Sequence, residues 1–259
     1  MTSGPRILVC IKRVPDSSGQ ILLTEDAQGV DGRYVGFTVS ENESSAVELA
    51  IRVVDATGGS VTLLTVGTAD AVEQLRSTLA LGCQAAVLVE ADPTRLGPAD
   101  VAHEIAAVVG AHEAAGTSYD LVLLGNDAAD SGDFQVGIRL AYLLGRPVVN
   151  GASVVEVADG RVLARVDGPE GEETYSVPLP AVVTVLEGGA EVRYPTLKGR
   201  MAAKKVEIEM RTTTREPVGA QRVRLLVPPA QPSLVQVLGE GPEAAPAVVD
   251  LLESLGVAR

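Results

Sequence analysis

A glycine- and aspartate-rich loop is the first part of this sequence whose residue types could do chemistry. It runs from Gly125 to Gly137, after an apolar run and before a helical pattern. Open α/β sheets bind ligands where a strand ends and the chain turns into a helix, and free amides at a helix start can hold a phosphate. Asp127, Asp130 and Asp133 repel a phosphate unless they point away from it or cap the helix. The alternative is a capped turn without a ligand, because the spacing matches neither standard glycine fingerprint.

A second candidate is the basic segment, residues 193–205, which carries five basic residues and no acidic one in a chain of net charge −13. Its Leu197 stands alone among polar neighbours in a turn-rich stretch. An exposed apolar side chain within a ring of positive charge is typical of a protein docking surface. The alternative is a solvated loop that leads into a helix.

A third candidate, residues 12–16, either places charge at the ligand end of a sheet or forms a surface turn around Pro15. Cys10 lies in an apolar run and is expected in the core rather than as a reactive thiol. His103 and His112 lie on a predicted helix, without acidic or cysteine partners at a recognisable spacing. The sequence shows no Ser-His-Asp triad, metal-ligand cluster or carboxylate pair, so it offers no apparatus for hydrolysis.

Composition excludes several functional classes. The chain has 259 residues and 21 Lys+Arg against 34 Asp+Glu, which argues against nucleic-acid binding. Aromatic residues make up 3% and Trp is absent, so base-stacking platforms are not expected. With two Cys and two His, the chain cannot build a closed zinc site from soft thiolate ligands, and no disulfide framework is indicated. Without a signal pattern or an apolar run of about 18 residues, the sequence predicts a cytoplasmic protein with no membrane insertion.

The elements that must position these candidates alternate regularly in the first half of the chain. The hydrophobic pattern predicts strands at 6–11, 60–66, 85–89 and 120–124, and helices at 43–56, 70–81, 98–115 and 135–144. This alternation is typical of a parallel sheet covered by helices on both faces.

The second half has a different pattern. Residues 153–157, 161–166 and 173–177 alternate more strictly and read as an antiparallel β addition, and 180–185 as a further apolar strand. Beyond about Thr212 the chain is rich in proline and ends in a short predicted helix at 247–255. We therefore predict a nucleotide-binding α/β domain at 1–212 and a carboxy-terminal arm at 213–259.

From about Arg6 to Lys205 the chain resembles the β subunit of electron transfer flavoproteins. Each matching segment is weak alone, but their series is specific: residues 7–16, 46–50, 79–82, 120–125, 135–137, 179–184, 193–197 and 201–205. The resemblance implies an α/β fold, a Rossmann-like parallel sheet sandwich of the adenine nucleotide α hydrolase-like type. It also implies the antiparallel β addition and an extended carboxy-terminal arm that packs on a larger α subunit.

The resemblance further implies the cofactors. FAD is held mainly by the α subunit, with β lining part of its site, and most members bury an AMP in β, whereas electron-bifurcating members bind a second FAD there. The matching nucleotide positions in this sequence are Cys10, Ser40, Glu41, Asn42, Glu43, Val66, Gly125, Asn126, Asp127, Ala128, Ala129, Asp130, Ser131, Gly132, Asp133, Phe134, Gln135 and Val136.

The basic segment corresponds to the recognition loop of that family, with Leu197 as the anchor that enters partner dehydrogenases. The implied docking residues are Arg193, Tyr194, Pro195, Thr196, Leu197, Lys198, Gly199, Arg200, Lys204 and Lys205. The implied activity is that of an electron carrier rather than a stand-alone enzyme. It takes electrons from flavin-dependent dehydrogenases, such as those of fatty acid β-oxidation, and passes them to a quinone oxidoreductase.

Several positions depart from the family pattern. The family often has Asn-Pro-aromatic where this chain has Ser40-Glu41-Asn42, and Phe134 and Val136 stand where mitochondrial-type members have Asn and Thr. Two alternatives therefore stay open at this point. One is a bifurcating flavoprotein that oxidises NADH with a second FAD, and the other is an ATP- or AMP-binding regulatory protein of the universal stress type.

Overall fold

The computed structural model describes residues 4–229 and 235–257 and is built around a nine-stranded sheet. The strands of the chain are β1 (Arg6–Cys10), β2 (Arg13–Pro15), β3 (Phe37–Val39), β4 (Ser60–Gly67), β5 (Ala85–Glu90), β6 (Leu121–Gly125), β7 (Val148–Ala158), β8 (Arg161–Gly168), β9 (Gly171–Pro178), β10 (Ala181–Val185) and β11 (Ile208–Thr212). The helices are α1 (Glu41–Thr57), α2 (Val72–Leu79), α3 (Pro98–Ala114), α4 (Val136–Leu144), α5 (Leu197–Ala203) and α6 (Ala245–Ser254).

The large sheet has the strand order β11-β5-β4-β1-β6-β10-β7-β8-β9. Neighbours from β11 to β7 pair in parallel, and β7, β8 and β9 pair antiparallel. Both the predicted parallel sheet and the predicted antiparallel addition are confirmed. The chain order reverses between β4 and β6, on either side of β1, and such a switch point opens a crevice at the carboxyl ends of the strands.

Two apolar cores fix the layers on the two faces of the sheet. Residues that alternate along β1 divide between them: Ile7 and Val9 belong to the core that α1 and α2 cover, and Leu8 to the core that α3 and α4 cover. All three side chains are fully buried. Because the central strands are buried on both faces, their sequences read as continuous apolar runs rather than as alternation.

The structure also contains elements that the sequence pattern did not predict. The strands β2 and β3 form a separate antiparallel pair directly after β1. The strand β7 begins at Val148 rather than 153, because it first pairs in parallel with β10 and then continues into the antiparallel addition. Within the described residues the edge strand β11 pairs with β5 only, and the charged Glu209 and Arg211 interrupt its apolar residues, so it lacks an apolar signature.

The chain divides into two compact units, Met1–Leu225 and Leu226–Arg259. The division falls after Leu225 rather than after Thr212, because residues 213–225 are held by buried carboxylates of α3. Asp100 accepts the amide of Gly219 at 2.9 Å, and Glu104 accepts the amide of Thr214 at 2.8 Å. None of the described helices is long and apolar enough to cross a membrane.

Candidate functional site

A cavity of about 360 Å³ opens at the carboxyl ends of the three central strands. Cys10 at the end of β1, Val66 near the end of β4 and Gly125 at the end of β6 all line it. This is the switch point of the sheet, where open α/β folds bind their ligands. The volume lies toward the small end of the range for small-molecule pockets, which is about 300–1,000 Å³.

The cavity has one apolar wall and one polar wall. Side chains of the sheet and of α3 form the apolar wall, among them Leu64, Leu124 and Ile105. The polar wall is the aspartate loop, residues 125–136, which connects β6 to α4. A planar base fits an apolar wall, and a charged group fits the polar one, so the two walls suit the two ends of a nucleotide.

Two of the three loop carboxylates are occupied by partners within the chain. Asp130 forms an ion pair with Lys12, at 2.6 Å between Oδ1 and Nζ, and Asp127 accepts a hydrogen bond from Asn42 at 2.5 Å. Asp133 is exposed and has no ion pair among the described residues. None of them caps α4, whose N-cap is Gln135 without a side-chain cap bond. The predicted repulsion of a phosphate is therefore reduced by internal pairing rather than by capping.

The start of α4 offers free backbone donors beside the cavity. The amides of Val136, Gly137 and Ile138 have no acceptor within the described part of the chain, as expected for a first helical turn. Gly137 also lets α4 approach the sheet, since a Cβ there would lie 2.3 Å from Cγ2 of Thr184. The helix start is therefore fixed against β10 with its positive dipole end toward the polar wall, an arrangement that favours an anion.

Glu43 is a buried carboxylic acid in the wall of this cavity. Burial raises the pKa of Glu43 to about 7, although the hydroxyl of Ser40, which donates to Oε2 at 2.8 Å, and the amide of Lys12 act in the opposite direction. Burial, helped by the charge of Glu43, also raises the pKa of the neighbouring Cys10 thiol far above its ordinary value. Cys10 is thus a buried, unreactive thiol, as its sequence position predicted.

A closing segment, residues 220–225, completes the cavity and was missed by the sequence analysis. Its Ala220, Gln221, Arg222 and Leu225 line the cavity. The Arg222 amide donates to the carbonyl of Thr94 at 3.0 Å, and the Leu225 amide donates to the carbonyl of Ala27 at 2.8 Å. No local sequence signal marks such a segment, because only these distant contacts bring it to the cavity.

Most of the nucleotide positions implied by the resemblance meet in this cavity. Those that line it are Cys10, Glu43, Val66, Gly125, Asn126, Asp127, Ala128, Asp130, Ser131, Asp133, Phe134, Gln135 and Val136. Ser40, Glu41, Asn42, Ala129 and Gly132 do not line it. Of these, Ser40 and Asn42 support lining residues, since Ser40 bonds Glu43 and Asn42 bonds Asp127.

The basic segment forms a second candidate site, and its centre is helical. The prediction that Leu197 lies in a turn-rich stretch is wrong, because Leu197 is the first residue of α5. The hydroxyl of Thr196 caps this helix by accepting the amide of Gly199 at 3.0 Å. Tyr194, Leu197 and Met201 are 92%, 77% and 60% exposed. Leu197 and Met201 are four residues apart and lie on one face of α5, and Tyr194 lies just before the helix. We call the side chains of Tyr194, Leu197 and Met201 the apolar ridge.

The cations of the basic segment fall into two groups. Lys198, Arg200, Lys204 and Lys205 are exposed, and none of them has an ion pair within the described residues. Arg193 instead turns toward α1, where its Nε lies 2.8 Å from Oε2 of Glu48 and its Nη2 lies 3.1 Å from Oδ2 of Asp55. The segment that carries the apolar ridge therefore also carries four exposed cations without an ion pair in the described part of the chain, while Arg193 holds it to α1.

His112 has an acidic partner that sequence spacing did not reveal. Its Nε2 lies 3.0 Å from Oε2 of Glu209 on β11, and its Nδ1 lies 2.8 Å from the hydroxyl of Tyr119. This partner lies 97 residues away along the chain, so it forms no recognisable sequence spacing with His112. Glu209 is brought to it only when β11 joins the edge of the sheet, and none of these residues lines the cavity.

Comparisons with known proteins agree with this geometry. The model of the electron transfer flavoprotein domain matches residues 30–215. The chain is 31% identical to the electron transfer flavoprotein subunit beta of Syntrophomonas wolfei, over 91% of this chain and 90% of that protein. It is also 31% identical to the subunit beta of Bacillus subtilis, over 96% and 97%. A third relative, 30% identical over 76% of this chain and 73% of its own length, is the acryloyl-CoA reductase electron transfer subunit gamma of Anaerotignum propionicum.

Proposed function

The chain belongs to the electron transfer flavoprotein family, and we propose that it serves as the β subunit of a heterodimeric electron carrier. One observation carries the proposal: the apolar ridge stands exposed at and just before a capped helix, in a segment that also carries the exposed Lys198, Arg200, Lys204 and Lys205. An apolar anchor within a charged rim suits transient docking between redox partners. The absence of a catalytic triad in the sequence is consistent with such a carrier, because a flavin supplies the redox chemistry.

We propose that the flavin is an FAD shared with an α subunit and that the cavity of this chain holds AMP. The apolar wall at Leu64 and Ile105 suits an adenine, and the free amides of Val136 and Gly137 suit a single phosphate. When bound, FAD supplies electron uptake and release, while this chain positions the nucleotide and the docking surface.

An electron carrier needs two docking partners, one that donates electrons to it and one that accepts electrons from it. The chain's ridge would enter an apolar slot with an acidic rim on a flavin-dependent dehydrogenase, for example an acyl-CoA dehydrogenase. The reduced carrier would then deliver its electrons to a quinone oxidoreductase. Docking of this kind is weak, so the partners separate after each transfer.

The experiment for the cofactors is purification of the co-expressed heterodimer, followed by nucleotide extraction. One FAD and one AMP per heterodimer would support the electron carrier. Two FAD per heterodimer together with reduction by NADH would instead support a bifurcating flavoprotein, a second candidate favoured by the similarity to the acryloyl-CoA reductase subunit. A flavin-free homodimer carrying ATP would contradict both.

The experiment for docking is the substitution Leu197→Ala. We expect reduction of the heterodimer by an acyl-CoA dehydrogenase to slow at least tenfold, the order of loss typical of an interface anchor (about 2 kcal/mol). FAD content should stay unchanged, because Leu197 contributes to no core cluster of the chain. Unaltered electron transfer in this variant would refute the docking proposal.

A further inference from the structure

We propose that Glu48 is a positioning residue for docking: through Arg193 it holds the apolar ridge in the orientation that a partner dehydrogenase binds. The inference rests on the proposed docking function, but it concerns residues that lie on α1 and outside the ridge itself. The inference predicts that the carboxylate of Glu48, which is too buried to contact the partner dehydrogenase, controls the apparent affinity of the heterodimer for that dehydrogenase.

The contact between Glu48 and Arg193 is extensive. The side chain of Glu48 is 4% exposed. Its Oε2 accepts the Arg193 amide at 3.2 Å and Nε at 2.8 Å, and its Oε1 lies 3.2 Å from Nη2. Arg52, one turn along α1, donates its Nε to Oε1 at 2.8 Å. Because Nε and Nη2 of Arg193 bind the two carboxylate oxygens of Glu48 as a fork, the contact fixes both the orientation of the guanidinium and its distance from the carboxylate.

The electrostatics of Glu48 agree with a charged clamp. Burial alone raises its pKa, but the hydrogen bonds from Arg193 and Arg52 outweigh burial and hold the pKa below the ordinary value of a glutamate. The carboxyl group is therefore ionised at neutral pH. A buried ion pair adds little net stability compared with an apolar pair. This pair nevertheless fixes geometry, because Arg193 reaches Glu48 through its amide, Nε and Nη2 but reaches Asp55 through Nη2 alone.

The far end of the basic segment is held in a second place. Arg76 of α2 donates from Nη1 to the carbonyl of Ala203 at 2.5 Å and also to the carbonyl of Val206. Gly199 packs against the end of α2, because a Cβ there would lie 2.2 Å from the carbonyl oxygen of Ala80. The apolar ridge lies between these two attachments and is itself uncovered.

Fixing the segment at both ends reduces the ordering cost of docking. A loop that must settle into one conformation on binding loses part of its interaction energy to lost conformational freedom. If Glu48 is neutralised, Asp55 is the one charged partner of Arg193 that remains among the described residues, and its side chain is 62% exposed. An exposed pair of this kind constrains geometry weakly. The ridge should then remain chemically intact but be presented in several orientations.

The experiment uses the co-expressed heterodimer with Glu48→Gln, and with Asp55→Asn as the matched control. Both variants remove one charge that faces Arg193, from the buried and the exposed side respectively. With an acyl-CoA dehydrogenase that reduces the wild type, we expect Glu48→Gln to raise the KM for the heterodimer about tenfold. The kcat at saturation, FAD content and reduction by dithionite should not change. Asp55→Asn should leave the KM within about twofold of the wild type.

A double variant separates positioning from a direct or general effect. If Glu48 acts only by presenting the ridge, Glu48→Gln combined with Leu197→Ala should be no slower than Leu197→Ala alone. Additive losses would overturn the positioning role. A KM of Glu48→Gln equal to that of the wild type would also overturn the positioning role of Glu48. If Leu197→Ala still slows the reaction in that case, the docking proposal itself is not contradicted. No effect of Leu197→Ala would contradict the proposed docking function instead.

A second substitution covers the case in which Glu48→Gln yields too little folded heterodimer. Arg193→Lys keeps the positive charge but removes the fork, so it should raise the KM in the same way without creating an unpaired buried carboxylate. Amide hydrogen exchange over residues 194–206 should speed up in this variant, and exchange in β1 and β4 should not. A KM and a local exchange rate equal to those of the wild type would overturn the proposal.

Discussion

At the scale of single residues, Glu43 is a carboxyl group that the fold removes almost entirely from water. It lines the cavity together with Asp127, Asp130 and Asp133, so an ionised Glu43 would add a fourth negative charge to a site proposed for a phosphate. Only Lys12 and Arg222 contribute positive side chains to the described lining. With a pKa of about 7, raised by burial, Glu43 is partly neutral at physiological pH, and this lessens the repulsion.

The substitution Glu43→Gln tests the buried carboxyl. Its folded-state pKa is raised, so its contribution to stability is full below the unfolded-state pKa, near 4.5, and is lost as pH rises to about 7. Across this window the free energy of unfolding of the wild type should fall by up to about 3 kcal/mol relative to Glu43→Gln. Urea unfolding at several pH values measures this difference.

The control for Glu43 is Glu41→Gln, since Glu41 is exposed on the first turn of the same helix. Its curve of stability against pH should run parallel to that of the wild type. If the curves of wild type and Glu43→Gln also run parallel between pH 4.5 and 7, the carboxyl of Glu43 titrates normally and its proposed effect on the cavity is wrong.

At the scale of elements, α5 shows how a short helix is held without a core of its own. Its seven residues bury only Ala203. Isolated helices of this length are unstable in water, so α5 depends on its cap and on the attachments made by Arg193 and Arg76. The conformation of the segment that carries the apolar ridge therefore depends on its contacts with α1 and α2.

The substitution Gly199→Ala tests the packing of α5 on α2. The new methyl would meet the carbonyl of Ala80 at 2.2 Å, so the helix must move away, at a cost of about 1–3 kcal/mol in local stability. We expect faster amide exchange in residues 197–203 and slower reduction by an acyl-CoA dehydrogenase. The neighbouring Lys198→Ala, on the exposed side, serves as control and should leave local exchange unchanged. Equal exchange in both variants would show that α5 does not depend on this contact.

At the scale of the whole molecule, the chain consists of two unequal units. The first, Met1–Leu225, contains the sheet, the cavity and the basic segment. The second, Leu226–Arg259, contains α6, where apolar side chains such as Val249 and Leu252 remain exposed. An exposed apolar helix needs a surface to cover it, and we propose that an α subunit supplies this surface.

Truncation after Leu225 tests whether the first unit binds the nucleotide and the second unit binds the α subunit. The closing segment of the cavity is retained, so AMP binding measured by calorimetry should be unchanged. Co-purification with the α subunit should be lost or strongly reduced, because the apolar helix α6 is removed. A truncated chain that still forms a stable heterodimer would contradict the role of the arm.

The net charge of −13 is not evenly distributed along the chain. The basic segment carries five basic residues and no acidic one, and four of its cations have no ion pair among the residues that the structure describes. An acidic chain repels acidic partners except where such a patch faces them, so we propose that the basic segment would orient an acidic docking partner.

The sequence by itself determined the layered architecture and the family. Continuous apolar runs separated by helical patterns require a parallel sheet covered on both faces, because each strand must bury both of its sides. The same reasoning placed the aspartate loop at the carboxyl end of a strand. Local patterns suffice here, since hydrophobic burial depends on the spacing of side chains along each element.

Only the tertiary structure decided how the sites are completed. The closing segment 220–225, the clamp between Glu48 and Arg193, and the pair of His112 with Glu209 each join residues that are far apart in sequence. The helix α5 and the edge strand β11 likewise lack a strong local pattern. Contacts of this kind depend on which surfaces the packed layers bring together, and the spacing of residues along the chain does not encode that geometry.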